Sequence, residues 1–125
     1  MPIGAASAKP VLWIGSSLKD LSEMPGPVQR SRGTALRDVQ LGEMPSNAKW
    51  LRGLGSGVIE LKTDHDRSTY RLVLCIGLRG VVYVLHVFKK KSKRGIETPR
   101  EHIGTIRKRL HLARLHHQTH QTGGG

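Results

Sequence analysis

Cysteine is almost missing from this chain: Cys75 is the only one in 125 residues. A disulfide framework is therefore excluded, and a reducing, cytoplasmic setting fits the composition. Aromatic residues make up only 4% of the chain, which argues against single-strand binding on stacked aromatic platforms. No stretch approaches the roughly 18 apolar residues of a membrane span, so no membrane partner is expected. The opening MPIGAASAKPVLWIG lacks the basic and apolar regions of a signal peptide. Acidic residues are scarce as well. Nine Asp/Glu stand against 21 Lys/Arg, a net charge of +12, which favours nucleic acid, an anionic membrane or an acidic protein as partner.

The charge is uneven. Residues 1–63 carry eight Lys/Arg against five Asp/Glu, a net of +3, while residues 64–125 carry thirteen against four, a net of +9. Solubility alone predicts a more even spread. Much of the excess follows one segment, VVYVLHVFKKKSKR from Val81 to Arg94. Its β-branched and aromatic residues favour a strand. That strand delivers His86 to its end and presents Lys89, Lys90, Lys91, Lys93 and Arg94 just beyond. Cations on a stiff strand end are positioned, and RNA is the leading candidate for what they meet.

The length suits one small domain. Residues 1–8 read as a disordered leader, 9–117 as the folded domain and 118–125 as a disordered tail. Val11 to Ile14 predict a short strand. Gly15-Ser16-Ser17 breaks it, and a serine there is placed to cap a helix over Leu18, Leu21 and Met24. After Pro25-Gly26-Pro27 a second helix is expected from Val28 to Leu41. Val28, Ala35, Leu36 and Val39 should face inward, Arg30, Arg32, Arg37 and Gln40 outward, with Gly42 as C-terminal cap. The glycine-rich stretch Leu51–Gly57 lacks the Lys-Ser/Thr of a phosphate-binding loop and precedes a strand, so it reads as a tight turn. Strands follow at Val58–Thr63, Ser68–Ile76 and Val81–Phe88, joined by short connections that imply an antiparallel meander. Thr98-Pro99-Arg100-Glu101 has the form of a capping box for a last helix from Pro99 to His116. The order βααβββα describes a small α+β domain, with helices packed on one face of a curved antiparallel sheet.

Period-two alternation then divides the strands. Ile59, Leu61, Tyr70, Leu72, Leu74, Tyr83, Leu85 and Val87 should share the helix-covered face. Glu60, Lys62, Arg71, His86 and Phe88 should share an open, concave one with the lysines at its rim. RNA cleavage needs little more: a base for the 2′-hydroxyl, cations for the phosphate and an acid for the departing 5′-oxygen. Plain alternatives stand beside this. Glu60 and Arg71 form a register-setting ion pair, His86 is a hydrogen-bonded strand histidine, and the lysines protect a sheet edge. Cys75 reads as a packed thiol, and Trp13 and Trp50 as core. His111, His116, His117 and His120 lack partners at metal-site spacing, so no metal and no cofactor are expected.

Five segments carry a resemblance. Trp13–Leu21 (W-x-G-S-S-L-K-D-L), Ala35–Gly42 (A-L-R-D-V-Q-L-G), Gly55–Lys62 (G-S-G-V-I-E-L-K), Thr69–Val73 (T-Y-R-L-V) and Tyr83–Lys93 (Y-V-L-H-V-F-K-K-K-S-K) together resemble the HigB-type, phage-derived branch of the RelE/ParE toxin superfamily. The resemblance spans about residues 11–110. It implies the toxin of a type II toxin–antitoxin pair: a metal-independent mRNA endonuclease that works on mRNA in the ribosomal A site. It also implies a helix-turn-helix, HigA-like antitoxin, through which alone operator DNA is contacted. By motif, Glu60, Arg71, His86, Lys89 and Lys90 match positions that this branch commonly keeps charged or polar around the cleft, and they are the expected catalytic set. Lys62, Phe88, Lys91, Lys93 and Arg94, on the open face and at its rim, are the expected RNA-binding residues, Lys62 standing where arginine is usual in that branch. A ParE-like inhibitor that binds DNA gyrase is the alternative from another class. A non-toxic relic that only binds nucleic acid is the third.

Overall fold

The structure, a computed structural model, describes residues 8–91 and 98–121. In chain order the elements are β1 (Val11–Trp13), α1 (Ser17–Ser22), α2 (Gly26–Gln40), β2 (Ala48–Trp50), β3 (Val58–His65), β4 (Ser68–Cys75), β5 (Val82–Lys91) and α3 (Arg100–Gln121). They form the expected small α+β domain around one five-stranded sheet, ordered β1-β5-β4-β3-β2. The sheet is mixed rather than antiparallel throughout. The meander β3-β4-β5 is antiparallel, but β1 lies parallel to β5, Val11 opposite Val82 and Trp13 opposite Val84. β2, absent from the expected order, adds an edge antiparallel to β3; three residues are too few to show a period. Trp50, expected in the core, is 55% exposed on that edge.

Helices cover both faces of the sheet, not one. Leu21 of α1 and Ala35, Leu36 and Val39 of α2 pack on Ile59, Leu61, Leu72, Leu74, Val82, Val84 and Val87. Ile106, Leu110 and Ala113 of α3 pack on Val58, Val73, Cys75, Tyr83, Leu85 and Phe88. The cause is legible in β4, whose residues are buried along its whole length. Leu72 and Leu74 alternate with Val73 and Cys75, so both faces are apolar and both need cover. Each such side chain contributes roughly 1.5–3 kcal/mol when fully buried.

A β-bulge explains the remaining departure. Val73 pairs with His86 and Leu74 with Val84, leaving Leu85 as an extra residue in β5. Strict alternation puts Tyr83 and Leu85 beside Val87. The extra residue instead turns Tyr83 and Leu85 toward α3 while His86 and Phe88 stay on that face.

Local chemistry sets the ends of the elements. β3 and β4 are joined through Asp66 and Arg67, both with positive φ (50° and 64°), as a two-residue hairpin turn requires. α2 closes as expected at Gly42, whose φ of +88° lets its N–H reach Val39 O while Glu43 N–H reaches Asp38 O. Arg32, expected outward, is fully buried on the sheet-facing side of α2. The serine cap and the capping box take other partners. Ser16 donates to the Asp20 carboxylate and Thr98 to Glu60 Oε2. α3 continues to Gln121, so the expected tail is helical at 118–121; the leader at 1–7 and the last residues from 122 lie outside the described residues. Among the described residues no helix is long and apolar enough to cross a membrane.

Candidate functional site

The α3-facing side of the sheet is apolar near its centre and polar toward the end where β5 runs out. Glu60 and Arg71, diagonal neighbours on β3 and β4, form an ion pair with Arg71 Nη1 donating to Glu60 Oε1 at 3.0 Å and Oε2 at 3.2 Å. Both are almost fully buried. Thr98, just ahead of α3, donates to Glu60 Oε2 at 3.1 Å. A carboxylate taken out of water keeps its charge at tolerable cost only with such partners.

His86 lies one strand position from this pair on the same face, and it too is buried. Its ring stacks on Phe88, centroids 5.1 Å apart, and Phe88 stacks in turn on His102 at 3.9 Å. His86 Nε2 and His102 Nδ1 share a hydrogen bond of 2.8 Å. On the other side of the ring, Arg109 Nη1 approaches His86 Nδ1 at 3.3 Å and also donates to Leu85 O at 3.0 Å. Arg109 Nη2 donates to Ser16 Oγ. The sequence WIGSSLKD thus anchors an arginine from the far end of the chain. Burial, then the repulsion that a second protonated imidazole at His102 and the Arg109 guanidinium would exert, push the His86 pKa down to about 4, with Asp20 opposing. Burial also lowers that of His102, with Glu101 opposing. Both imidazoles are therefore neutral at physiological pH.

The expected site residues separate into floor, rim and outlier. His86 and Phe88 lie beneath α3, and Glu60 and Arg71 on the same face are buried too, so the four form a closed floor and not an open concave surface. Lys62, opposite Arg71, is exposed, and Lys90, two residues past Phe88, is half-buried on the same face. Lys89 turns to the opposite face, where its Nζ lies 5.9 Å from the centre of the Tyr70 ring. Lys91 ends β5, and only its strand position is described; Lys93 and Arg94 lie outside the described residues. His102 and Arg109 were not anticipated. Their spacing was the signal: both stand at helical intervals from buried Ile106, so they face the sheet.

Elsewhere, Cys75 is a buried free thiol whose pKa is raised by burial, as the packed reading expects. His116 and His117 direct Nδ1 to the Tyr83 hydroxyl at 2.9 and 3.4 Å. Among the described residues no group of three or more His, Cys, Asp or Glu side chains is arranged to hold a metal ion. An open groove of about 730 Å³ beside Trp50, Gly53 and Gly77 lies away from the polar floor.

Residues 19–111 match the family model described as Phage derived protein Gp49-like (DUF891). No curated protein sequence matches the chain. Among solved structures, the chain is similar to the E. coli toxin RelE, an arginine-substituted mutant in the free state. The TM-score is 0.52 at 24% identity, covering 69% of this chain and 85% of that one. The protein belongs to the phage-derived Gp49-like family and has the fold of the RelE toxins.

Proposed function

We propose that the protein is the toxin of a type II toxin–antitoxin pair and acts as a metal-independent mRNA endonuclease on translating ribosomes. One arrangement supports this reading above the others: a buried Glu60–Arg71 pair and a His86–Phe88 stack on a single sheet face, with His102 of α3 stacked on it and Lys62 and Lys90 flanking. A ribose-phosphate crossing that end of the sheet meets cations at the rim and fixed dipoles behind them. Preorganised donors of this kind stabilise charge that develops in the transition state. Lys62, Lys90, Lys91, Lys93 and Arg94 supply phosphate contacts, and Glu60, Arg71 and His86 shape the floor. Lys89, on the other face, steers through its charge alone. Neutralisation falls to a helix-turn-helix antitoxin, and the surplus of +12 suits an acidic partner segment as well as RNA.

The test is a brief pulse of expression followed by primer-extension mapping of cellular messages. Growth arrest with new 5′ ends inside translated frames is expected, and combined Lys62→Ala and Lys90→Ala should relieve it. Because those lysines neutralise phosphates, the double variant should also flatten the salt dependence of RNA binding, by about one unit of log–log slope per lysine. Arrest with intact messages and damaged DNA would favour inhibition of DNA gyrase instead.

A further inference from the structure

We infer that His102 is the group on α3 that meets the RNA, as a neutral hydrogen-bond donor through Nε2–H, and that Arg109 and His86 fix it in that tautomer. The inference rests on the endonuclease reading and gives His102, to which that reading assigns no contact with RNA, a role at the phosphate.

The chain of donors runs in one direction. A guanidinium has only donors and is always protonated, so Arg109 Nη1, at 3.3 Å, makes His86 Nδ1 an acceptor. A neutral His86 then carries its proton on Nε2. That proton lies in the 2.8 Å contact with His102 Nδ1, which must accept it. A neutral His102 in turn carries its own proton on Nε2. Among the described residues that nitrogen has no hydrogen-bond partner, and the ring is half-exposed at the start of α3, stacked on Phe88. Both nitrogens of His86 and Nδ1 of His102 are thereby engaged, and the outer imidazole N–H of the relay is left open.

The position favours this role over proton transfer. His102 stands in the first turn of α3, where the helix dipole disfavours a positive charge and favours an anion nearby. A neutral imidazole is too weak an acid to give its proton to a leaving oxygen. It can hold a non-bridging phosphate oxygen as negative charge accumulates on it, and no bond to hydrogen breaks in doing so. His102 is thereby a catalytic residue, in contact with the reacting phosphate. His86 and Arg109 are positioning residues that act through it.

Two measurements on the full chain decide this. Long-range ¹H–¹⁵N spectra of the imidazoles near pH 7.5 should show His86 and His102 both neutral and both protonated on Nε2. A proton on His102 Nδ1, or an imidazolium, overturns the assignment whatever the variants do. In single-turnover cleavage of a message on translating ribosomes, His102→Ala should lose roughly 10²-fold in rate, the usual effect of one oxyanion donor, with KM little changed. His102→Gln, which keeps an N–H near the same place, should recover part of it. The deficit should narrow as pH falls toward 4, where His86 takes up a proton and the relay is disrupted in the wild type; a deficit that widens in acid would identify a general acid and overturn the neutral-donor role. Arg109→Ala should reproduce the rate loss and mix the His86 tautomers. Equal cleavage by wild type and His102→Ala sinks this inference alone. Intact message with the wild type sinks the endonuclease reading and this inference together.

Discussion

The two helical layers each hide an arginine, and the two arginines have different surroundings. Arg71, on the sheet face that α3 packs against, donates to both carboxylate oxygens of Glu60, which also accepts from Thr98. Arg32, under α2, is 0% exposed, and none of its three nitrogens has a partner among the described residues. Burial alone pulls its pKa to about 10, so it is still charged at neutral pH. A matched buried charge can be an instrument; an unmatched one is mainly a cost. The contrast locates the polar work of this fold on the α3 side of the sheet.

The sharpest way to break that contrast is to unmatch the matched arginine. Glu60→Ala removes the buried carboxylate to which Arg71 Nη1 donates and should cost about 3–5 kcal/mol in urea unfolding. Replacing both partners with apolar residues, Glu60→Leu with Arg71→Met, should restore most of that stability while abolishing message cleavage. If the single and double variants are equally unstable, the pair is not the unit described here.

The histidine layer supplies the next test. An unfolded histidine titrates near 6.5, whereas folded His86 titrates at about 4. The folded state thus refuses a proton that the unfolded state binds. Stability from this source is full above about pH 6.5 and is lost as pH falls toward 4, on the order of 3 kcal/mol in all. The groups that face His86 are His102 and Arg109 from α3 and Asp20 from α1, with Glu101 acting on His102. Urea midpoints at pH 7 and pH 4.5 should differ accordingly, and His86→Gln should flatten the difference.

Arg32 gives the converse expectation. Arg32→Met removes an unpartnered charge and keeps an unbranched stem of similar reach, so it should stabilise the protein by about 2 kcal/mol. Cleavage should be unchanged, because Arg32 lies on the other side of the sheet. Its burial was open to inference from spacing, since it stands four residues from both Val28 and Leu36 on the core-facing stripe of α2. Charge outweighed spacing in the sequence reading. The same reading found β3, β4, β5 and the end of α2, because alternation and a capping glycine are local signals. It missed β2, which is too short to have a period. It assigned Tyr83 and Leu85 to the wrong face, because a bulge is a property of the pairing and not of either strand. Glu60, Arg71, His86 and Phe88 were grouped correctly on one face. That they are buried, His86 and Phe88 beneath α3, depends on contacts between residues far apart in sequence, which alternation within strands does not report.

The smallest effect expected is at Gly15, and it tests whether the α3 side is held by the relay or merely by apolar packing. Gly15 has a φ of +61°, and a Cβ there would lie 2.7 Å from Arg109 Nε and 2.9 Å from Cζ. The left-handed backbone alone should cost Gly15→Ala roughly 1–2 kcal/mol. The greater consequence is positional. The added methyl displaces the guanidinium that reaches Ser16, Leu85 O and His86, while Ile106, Leu110 and Ala113 keep α3 on the sheet. If the relay governs His102, the variant should stay folded with α3 in place, yet lose the single Nε2–H pattern at His86 and slow cleavage more than its stability loss explains. If cleavage and tautomers are untouched while Arg109 has moved, apolar packing alone positions His102.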